Sequence, residues 1–324
     1  TITLAEAAAQ TQPYDCIIAH NPTDLFDTRA LNAPRLLVLH LTLEGMVLEQ
    51  RAQTRLHEYR AVIAAYTERL NTHMVAASEL KAASWGISSN VVPLSADVAD
   101  YLPWSGDFSR GLRISNFLTR RARTLLLDFH SEAFGDLPVT IVGHNPELPN
   151  ATVPADWTDL KRTLQHHRFY IHTADPRLED GYNMATLEAM AAGLPVLGNR
   201  HPTSPIIHGI DGFLSDDPRE LNLFARKLLA DRSLAAALGR AAQQTVAEKF
   251  SPPVFRAAMV EAIAAAREKF QEKPVPPLQS RNQDFGFHNP IVFPSRSANH
   301  ANVPVGMSTA GTSTLPPSPT ALSR

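Results

Sequence analysis

Short apolar runs alternate along most of this chain with longer stretches whose apolar residues recur every three or four positions. In the first third the runs are DCIIAH, RLLVLHL and HMVAAS, separated by DLFDTRAL and the long charged segment EGMVLEQRAQTRLHEYRAVIAAYTERL. Further on come GLRISNFL, VTIVGHNP, FYIHTA and PVLGN, with helical stretches through LLLDFHSEAF and around DLKRTLQ between them. Helices dominate from Pro218 to about Phe270. Strand-like runs joined by helical connections predict an α/β fold, with open sheets and crossover helices. Between the two series, YLPWSGDFS concentrates Pro, Gly, Ser and Asp, which predicts a boundary near residue 105 between domains at 1–105 and 106–270.

The 324 residues are ample for two compact cores. Residues 271–324 hold 9 of the 25 prolines and no sustained apolar period. Such a segment buries too little surface to offset its chain entropy and is expected to be a disordered tail. A net charge of -2 with 19% charged residues argues against a nucleic-acid partner. The single cysteine, Cys16, excludes an internal disulfide and reads as a buried, inert thiol. No apolar run is long enough to span a bilayer and no signal peptide opens the chain, so the expectation is a cytoplasmic protein with peripheral membrane contact still open.

The most informative stretch is DGYNMATLEAMAAG, Asp180 to Gly193. Asn183 is a good N-cap, MATLEAMAA is a run of strong helix formers, and Gly193 closes the helix before PVLG. The first-turn N–H groups of such a helix have no intrahelical partners, so with the helix dipole they form a place for an anion such as a diphosphate. Glu188 lies one turn further in, on the face of Met184 and Ala185, where it is placed to accept hydrogen bonds from a sugar's vicinal hydroxyls. Asp180 stands in the loop ahead of the helix.

The spacing acid-G-aromatic, five residues, then E-A-M-A-x-G-x-P-V resembles the donor motif of family 4 (group 1) glycosyltransferases of the GT-B fold. The resemblance covers roughly residues 15–265 and is strongest over 178–215. It implies two Rossmann-like domains facing a cleft, the first incomplete at its N-terminus because no Gly-rich loop precedes DCIIAH, and a last helix that returns to the first domain. It further implies a nucleotide diphosphate sugar as co-substrate, no other cofactor and no metal, transfer with retention, and a saccharide, lipid or other small-molecule acceptor. On this resemblance Glu188 binds the ribose, while Gly181, Tyr182, Asn183, Met184 and Ala185 offer backbone to phosphate and sugar. Asp180 and His40 are the catalytic candidates at the transferred sugar. The family usually carries Glu at both acidic positions; here the first is Asp180, shorter by a methylene, with Glu179 one residue out of register. Where the family places Arg and Lys five residues apart to hold the diphosphate, this chain has Asn116 and Arg121, and Arg120 is a neighbouring cation.

Other constellations carry less. His20 ends the DCIIAH run much as His40 ends RLLVLHL, and Ser78 and Trp85 are expected near the cleft, with Trp85 more often a core residue. The histidine groups at 166–167 and 201–208 lack the carboxylate or cysteine spacing of a zinc site. No GxGxxG, P-loop or GxSxG pattern is present. Two alternatives to a transferase remain: a non-catalytic nucleotide-sugar-binding module or fragment, and a non-hydrolysing nucleotide-sugar epimerase.

Overall fold

The computed structural model of the chain describes Thr3, Glu6, Ala7 and residues 14–49, 55–87 and 90–272. From residue 273 on, the tail expected to be disordered lies outside the described residues.

The first half holds three parallel strands in sequential order, β1 (Ile17–Ala19), β2 (Arg35–Leu39) and β3 (Thr72–Ala76). Around them lie α1 (Pro22–Asp27), α2 (Leu43–Glu49), α3 (Leu56–Arg69) and α4 (Glu79–Trp85). Successive strand side chains point to opposite faces, so the continuous apolar run of β2 serves two cores. Leu37 and Leu39 pack with Leu25, Tyr59, Ile63 and Trp85. Leu36 and Val38 meet Ala262 and Ala266 of the C-terminal helix. Trp85 is thus a core residue, and its indole N–H donates to the Leu41 carbonyl at 2.9 Å. Cys16 is half-buried beside the same C-terminal helix, and burial pushes its thiol pKa up.

The second half is a five-stranded parallel sheet, β4 (Phe108–Ile114), β5 (Val139–Val142), β6 (His167–Ile171), β7 (Val196–Gly198) and β8 (Gly212–Leu214), in the order β5-β4-β6-β7-β8. Its helices are α5 (Leu127–Phe134), α6 (Trp157–His166), α7 (Met184–Ala191), α8 (Pro218–Ala230) and α9 (Arg232–Lys249). The chain alternates again. Leu112, Tyr170 and Val196 face α7 and α9, whereas Phe169, Ile171 and Leu197 face α5 and α8. The strand order reverses at β4, and in open parallel sheets ligands bind outside the carboxyl ends of the strands at that reversal. That point lies between the loops that follow β4 and β6.

Val92 packs in the first half and Ala96 in the second, where the Ala96 N–H donates to the Phe250 carbonyl at 3.0 Å. The chain crosses between the halves here, and α10 (Pro252–Glu272) carries it back to the first sheet. Among the described residues no helix is long and apolar enough to cross a membrane.

One stretch departs from its local propensity. Residues 119–126, rich in the helix formers Arg, Ala and Leu, form irregular turns, and α5 begins only at Leu127, two residues into the predicted LLLDFHSEAF helix. Tertiary partners take the carbonyls that a helix would need. Arg113 Nη2 and Thr173 Oγ1 both donate to the Leu125 carbonyl, at 2.9 and 2.6 Å, and the Asp175 N–H donates to that of Thr124 at 2.9 Å.

Helix α9 lies so close to the turn after α7 that a Cβ added at Gly239 would sit 1.9 Å from the Gly193 carbonyl oxygen. Gly239→Ala must therefore push the helix off its backbone neighbour, and we expect a loss on the order of 1–3 kcal/mol. Thermal unfolding followed by circular dichroism measures it; an unchanged midpoint would contradict the close packing.

Candidate functional site

The acidic stretch after β6 is stapled from all sides. His172 Nε2 donates to the Asp180 carbonyl at 3.1 Å and His201 Nε2 to the Glu179 carbonyl at 3.0 Å. The Asn199 side chain bonds both the N–H and the carbonyl of Ala174, each at 3.0 Å, and Thr203 Oγ1 accepts from the Gly181 N–H at 2.9 Å. The loop is also held by the first half of the chain. Thr42 Oγ1 donates to the Leu178 carbonyl at 2.9 Å, and a Cβ on Gly45 would lie 2.4 Å from that same oxygen.

At the centre of this contact is a buried ionic clasp. Lys81, on α4, places Nζ 3.0 Å from Glu179 Oε1 and 2.7 Å from Asp180 Oδ2, and the three side chains keep only 5%, 7% and 2% of their surface exposed. Asp180 Oδ1 accepts from Ser78 Oγ at 2.9 Å and from Thr203 Oγ1 at 3.2 Å. Both carboxylate oxygens of Asp180 are thus engaged by protein. Burial pulls the Lys81 pKa down, but Glu179 and Asp180 more than compensate, and its net shift is upward. The lysine therefore stays charged.

Helix α7 begins as its sequence predicts. Asn183 accepts from the Thr186 N–H at 2.9 Å, and Thr186 Oγ1 accepts from the Asn183 N–H at 3.3 Å, a reciprocal cap. Gly181 is committed to Thr203, and the Tyr182 ring packs on Phe250 with centroids 5.2 Å apart. Among the described residues, the N–H groups of Met184 and Ala185 have no hydrogen-bond partner, as the first turn of a helix dictates. Glu188 is 6% exposed, and among the described residues no side-chain hydrogen bond or ion pair reaches its carboxylate. Burial alone raises its pKa to about 7.

The three residues expected at the diphosphate are all occupied. Arg121 reaches Glu179 Oε2 at 3.4 Å and has Nε 3.0 Å from Glu49 Oε1, without an aligned hydrogen bond at Nε, so it adds a second ionic link between the halves. Arg120 pairs with Glu147 at 3.4 Å and lies over the Phe117 ring at 5.1 Å. Asn116 Oδ1 accepts from the His144 N–H at 2.8 Å, bracing the loop after β5. His40 directly follows β2, and its Nε2 is 2.9 Å from Nδ1 of His20, which directly follows β1; the rings stack with centroids 5.1 Å apart. Both rings keep an exposed edge, yet displaced water and then the nearby His20 and Lys81 disfavour the imidazolium of His40.

The structure therefore brings Asp180, Glu179 and Arg121 into one network and sets Glu188 apart from it, one turn into α7. Lys81, Glu49, Thr42 and Thr203 escape sequence reasoning because their partners lie far away along the chain. Only the placement of Lys81 three residues after the N-cap Ser78, on the apolar side of a short helix, hints at its burial. The histidines of the two sequence groups are spoken for: His167 bonds the Thr163 carbonyl at 2.7 Å and His208 that of Leu214 at 3.0 Å.

Residues 117–231 match the family described as glycosyl transferases group 1. Solved structures share the fold at low identity. Anabaena HepE, in complex with UDP and glucose, aligns with a TM-score of 0.61 at 15% identity over 81% of this chain and 80% of that one. Sucrose-phosphate synthase from Thermosynechococcus elongatus gives 0.57 at 15% over 80% and 75%. TarM gives 0.56 at 15% over 78% of this chain, which spans 56% of TarM. These are GT-B glycosyltransferases, so the fold implied by the motif is the fold observed. No curated protein matches the chain in sequence.

Two expectations follow from the geometry. Lys81→Met leaves Glu179 and Asp180 buried without their shared cation, and breaking a buried ion pair in this way costs roughly 3–5 kcal/mol. Urea unfolding should show that loss; a change below about 1 kcal/mol would mean that the clasp is solvated. For Glu188, a native pKa of about 7 against the ordinary glutamate value of 4.5 means that the folded state holds the proton more tightly. Its contribution is therefore favourable below pH 4.5 and is lost as pH rises to about 7, on the order of 3 kcal/mol in all. Glu188→Gln should raise the melting temperature at pH 8 and leave it nearly unchanged at pH 4.5, and equal shifts at both would contradict the burial account.

Proposed function

We propose, from the match of residues 117–231 to the glycosyl transferases group 1 family and from the shared fold, that this chain binds a nucleoside diphosphate sugar between its two sheets and transfers the sugar to a hydroxyl acceptor. The observation that carries the reading is Glu188: a buried carboxylate with no partner among the described residues, one turn behind two open N–H groups. An unpartnered buried charge is costly unless something else satisfies it. Ribose hydroxyls would do so, while the diphosphate takes the Met184 and Ala185 N–H groups and the dipole of α7. HepE, similar in fold, was solved with UDP and with UDP-glucose.

In this reading the transferred sugar lies toward Asp180, Lys81 and His40, and the donor diphosphate lies toward Arg121. The bond from the anomeric carbon to the phosphate oxygen breaks, the acceptor hydroxyl oxygen bonds to the same face of that carbon, and the hydroxyl proton passes to the departing phosphate. Configuration is retained, and the chemistry draws its stabilisation from the dipole of α7, with no metal or other cofactor in the scheme.

One observation favours a second reading, a nucleotide-sugar-binding module without turnover. Both oxygens of Asp180 are already committed to Lys81, Ser78 and Thr203. Release of nucleoside diphosphate from nucleotide sugars in the presence of saccharide and lipid acceptors distinguishes the two; binding without release supports the second.

Calorimetry with UDP tests the site itself. Glu188→Gln should weaken binding on the order of 10- to 100-fold, since a hydrogen bond to a charged group contributes about 1.5–3 kcal/mol. The same variant is expected to be the more stable protein at neutral pH, so a weaker affinity would not reflect unfolding. Unchanged affinity would remove Glu188 from the site.

A further inference from the structure

His20 and His40 close two adjacent parallel strands at their carboxyl ends, where open sheets present ligand-binding groups. Their Nδ1 and Nε2 atoms are 2.9 Å apart, so one proton must lie between them. Among the described residues, neither His20 Nε2 nor His40 Nδ1 has a hydrogen-bond partner. Two neutral arrangements are possible. If His20 donates, both rings carry their proton on Nδ1. If His40 donates, both carry it on Nε2, which is the preferred tautomer of a free neutral histidine side chain. The second arrangement leaves His40 Nδ1 bare.

We propose that His20 is a positioning residue: by accepting the Nε2 proton of His40, it keeps Nδ1 of His40 an open acceptor for a hydroxyl of the bound sugar. This rests on the reading of the cleft as a nucleotide-sugar site. The hydrogen bond that one ring nitrogen makes decides what the other presents. Proton counting adds a consequence. A cationic pair holds three protons, one shared and one on each outer nitrogen, so the single proton that the pair takes up must convert His40 Nδ1 from acceptor to donor. The other charge that acts on His40 is Lys81 on α4, which its two carboxylates keep charged, and it opposes that uptake.

Long-range 1H–15N spectra of the full chain with 15N-labelled histidine, at pH 8 and without ligand, report the tautomer directly. We expect His40 protonated on Nε2 and bare on Nδ1. His20→Asn, whose amide oxygen can accept the same proton, should preserve this state, and His20→Phe should lose it. A protonated Nδ1 in the parent protein, or His40 signals unmoved by His20→Phe, would overturn the proposal. Calorimetry then separates the sugar from the nucleotide. His20→Phe should weaken UDP-glucose by roughly 5- to 10-fold, a neutral hydrogen bond, and leave UDP unchanged, with His20→Asn close to the parent. Equal effects on UDP and UDP-glucose, or none on either, would refute the sugar contact. Failure of UDP to bind the parent protein would instead refute the nucleotide-sugar reading, with the tautomer decided independently by the spectra.

Discussion

A lysine held between two carboxylates, with almost no solvent on any of the three, is the interaction on which the cleft depends. Taking three charges out of water is expensive, and the expense is offset only if geometry and additional hydrogen bonds are good. Here Lys81 comes from one half of the protein and Glu179 and Asp180 from the other, so those favourable terms exist only while the halves are together. The surrounding bonds point the same way: Ser78 to Asp180, Thr42 to the Leu178 carbonyl, and Arg121 between Glu49 and Glu179. Closure and loop order are therefore one event, and the loop that is ordered leads directly into Asn183 and α7.

Against that background the open groups stand out by what they lack. Loop carbonyls, histidines and caps around Asp180 find partners within the protein, whereas among the described residues the Glu188 carboxylate and the first N–H groups of α7 do not. Native proteins rarely leave buried polar groups unpaired, and each exception requires an explanation. A ligand that brings hydroxyls and an anion explains both at once. The same absence makes Glu188 a stability liability at neutral pH, the form a trade between stability and binding takes when a site is built before its ligand arrives.

The local chemistry was readable in the sequence and the long-range chemistry was not. Asn183 as N-cap, Gly193 as terminator and Glu188 one turn inward follow from helix geometry, which needs only neighbouring residues, and the alternating strand residues of β2 and β6 follow from a period of two. Asp180 reads locally as an acid in the loop ahead of a helix, but its partner Lys81 is on another sheet's helix. Arg121 and Arg120 read as cations available to a diphosphate; Glu49 and Glu147 claim them, and α5 begins only at Leu127 because Arg113 and Thr173 draw on the Leu125 carbonyl. In each case the deciding contact joins residues more than ten positions apart, beyond what propensity and spacing encode.

The most direct test of the account is a crystal structure of the chain with UDP. The nucleotide should lie across the carboxyl ends of β4 and β6, with both ribose hydroxyls on the Glu188 carboxylate, the diphosphate on the Met184 and Ala185 N–H groups, and the Lys81 contacts to Glu179 and Asp180 unbroken. A nucleotide bound elsewhere with Glu188 still unpartnered, or one seated only after Lys81 has left its carboxylates, would contradict it.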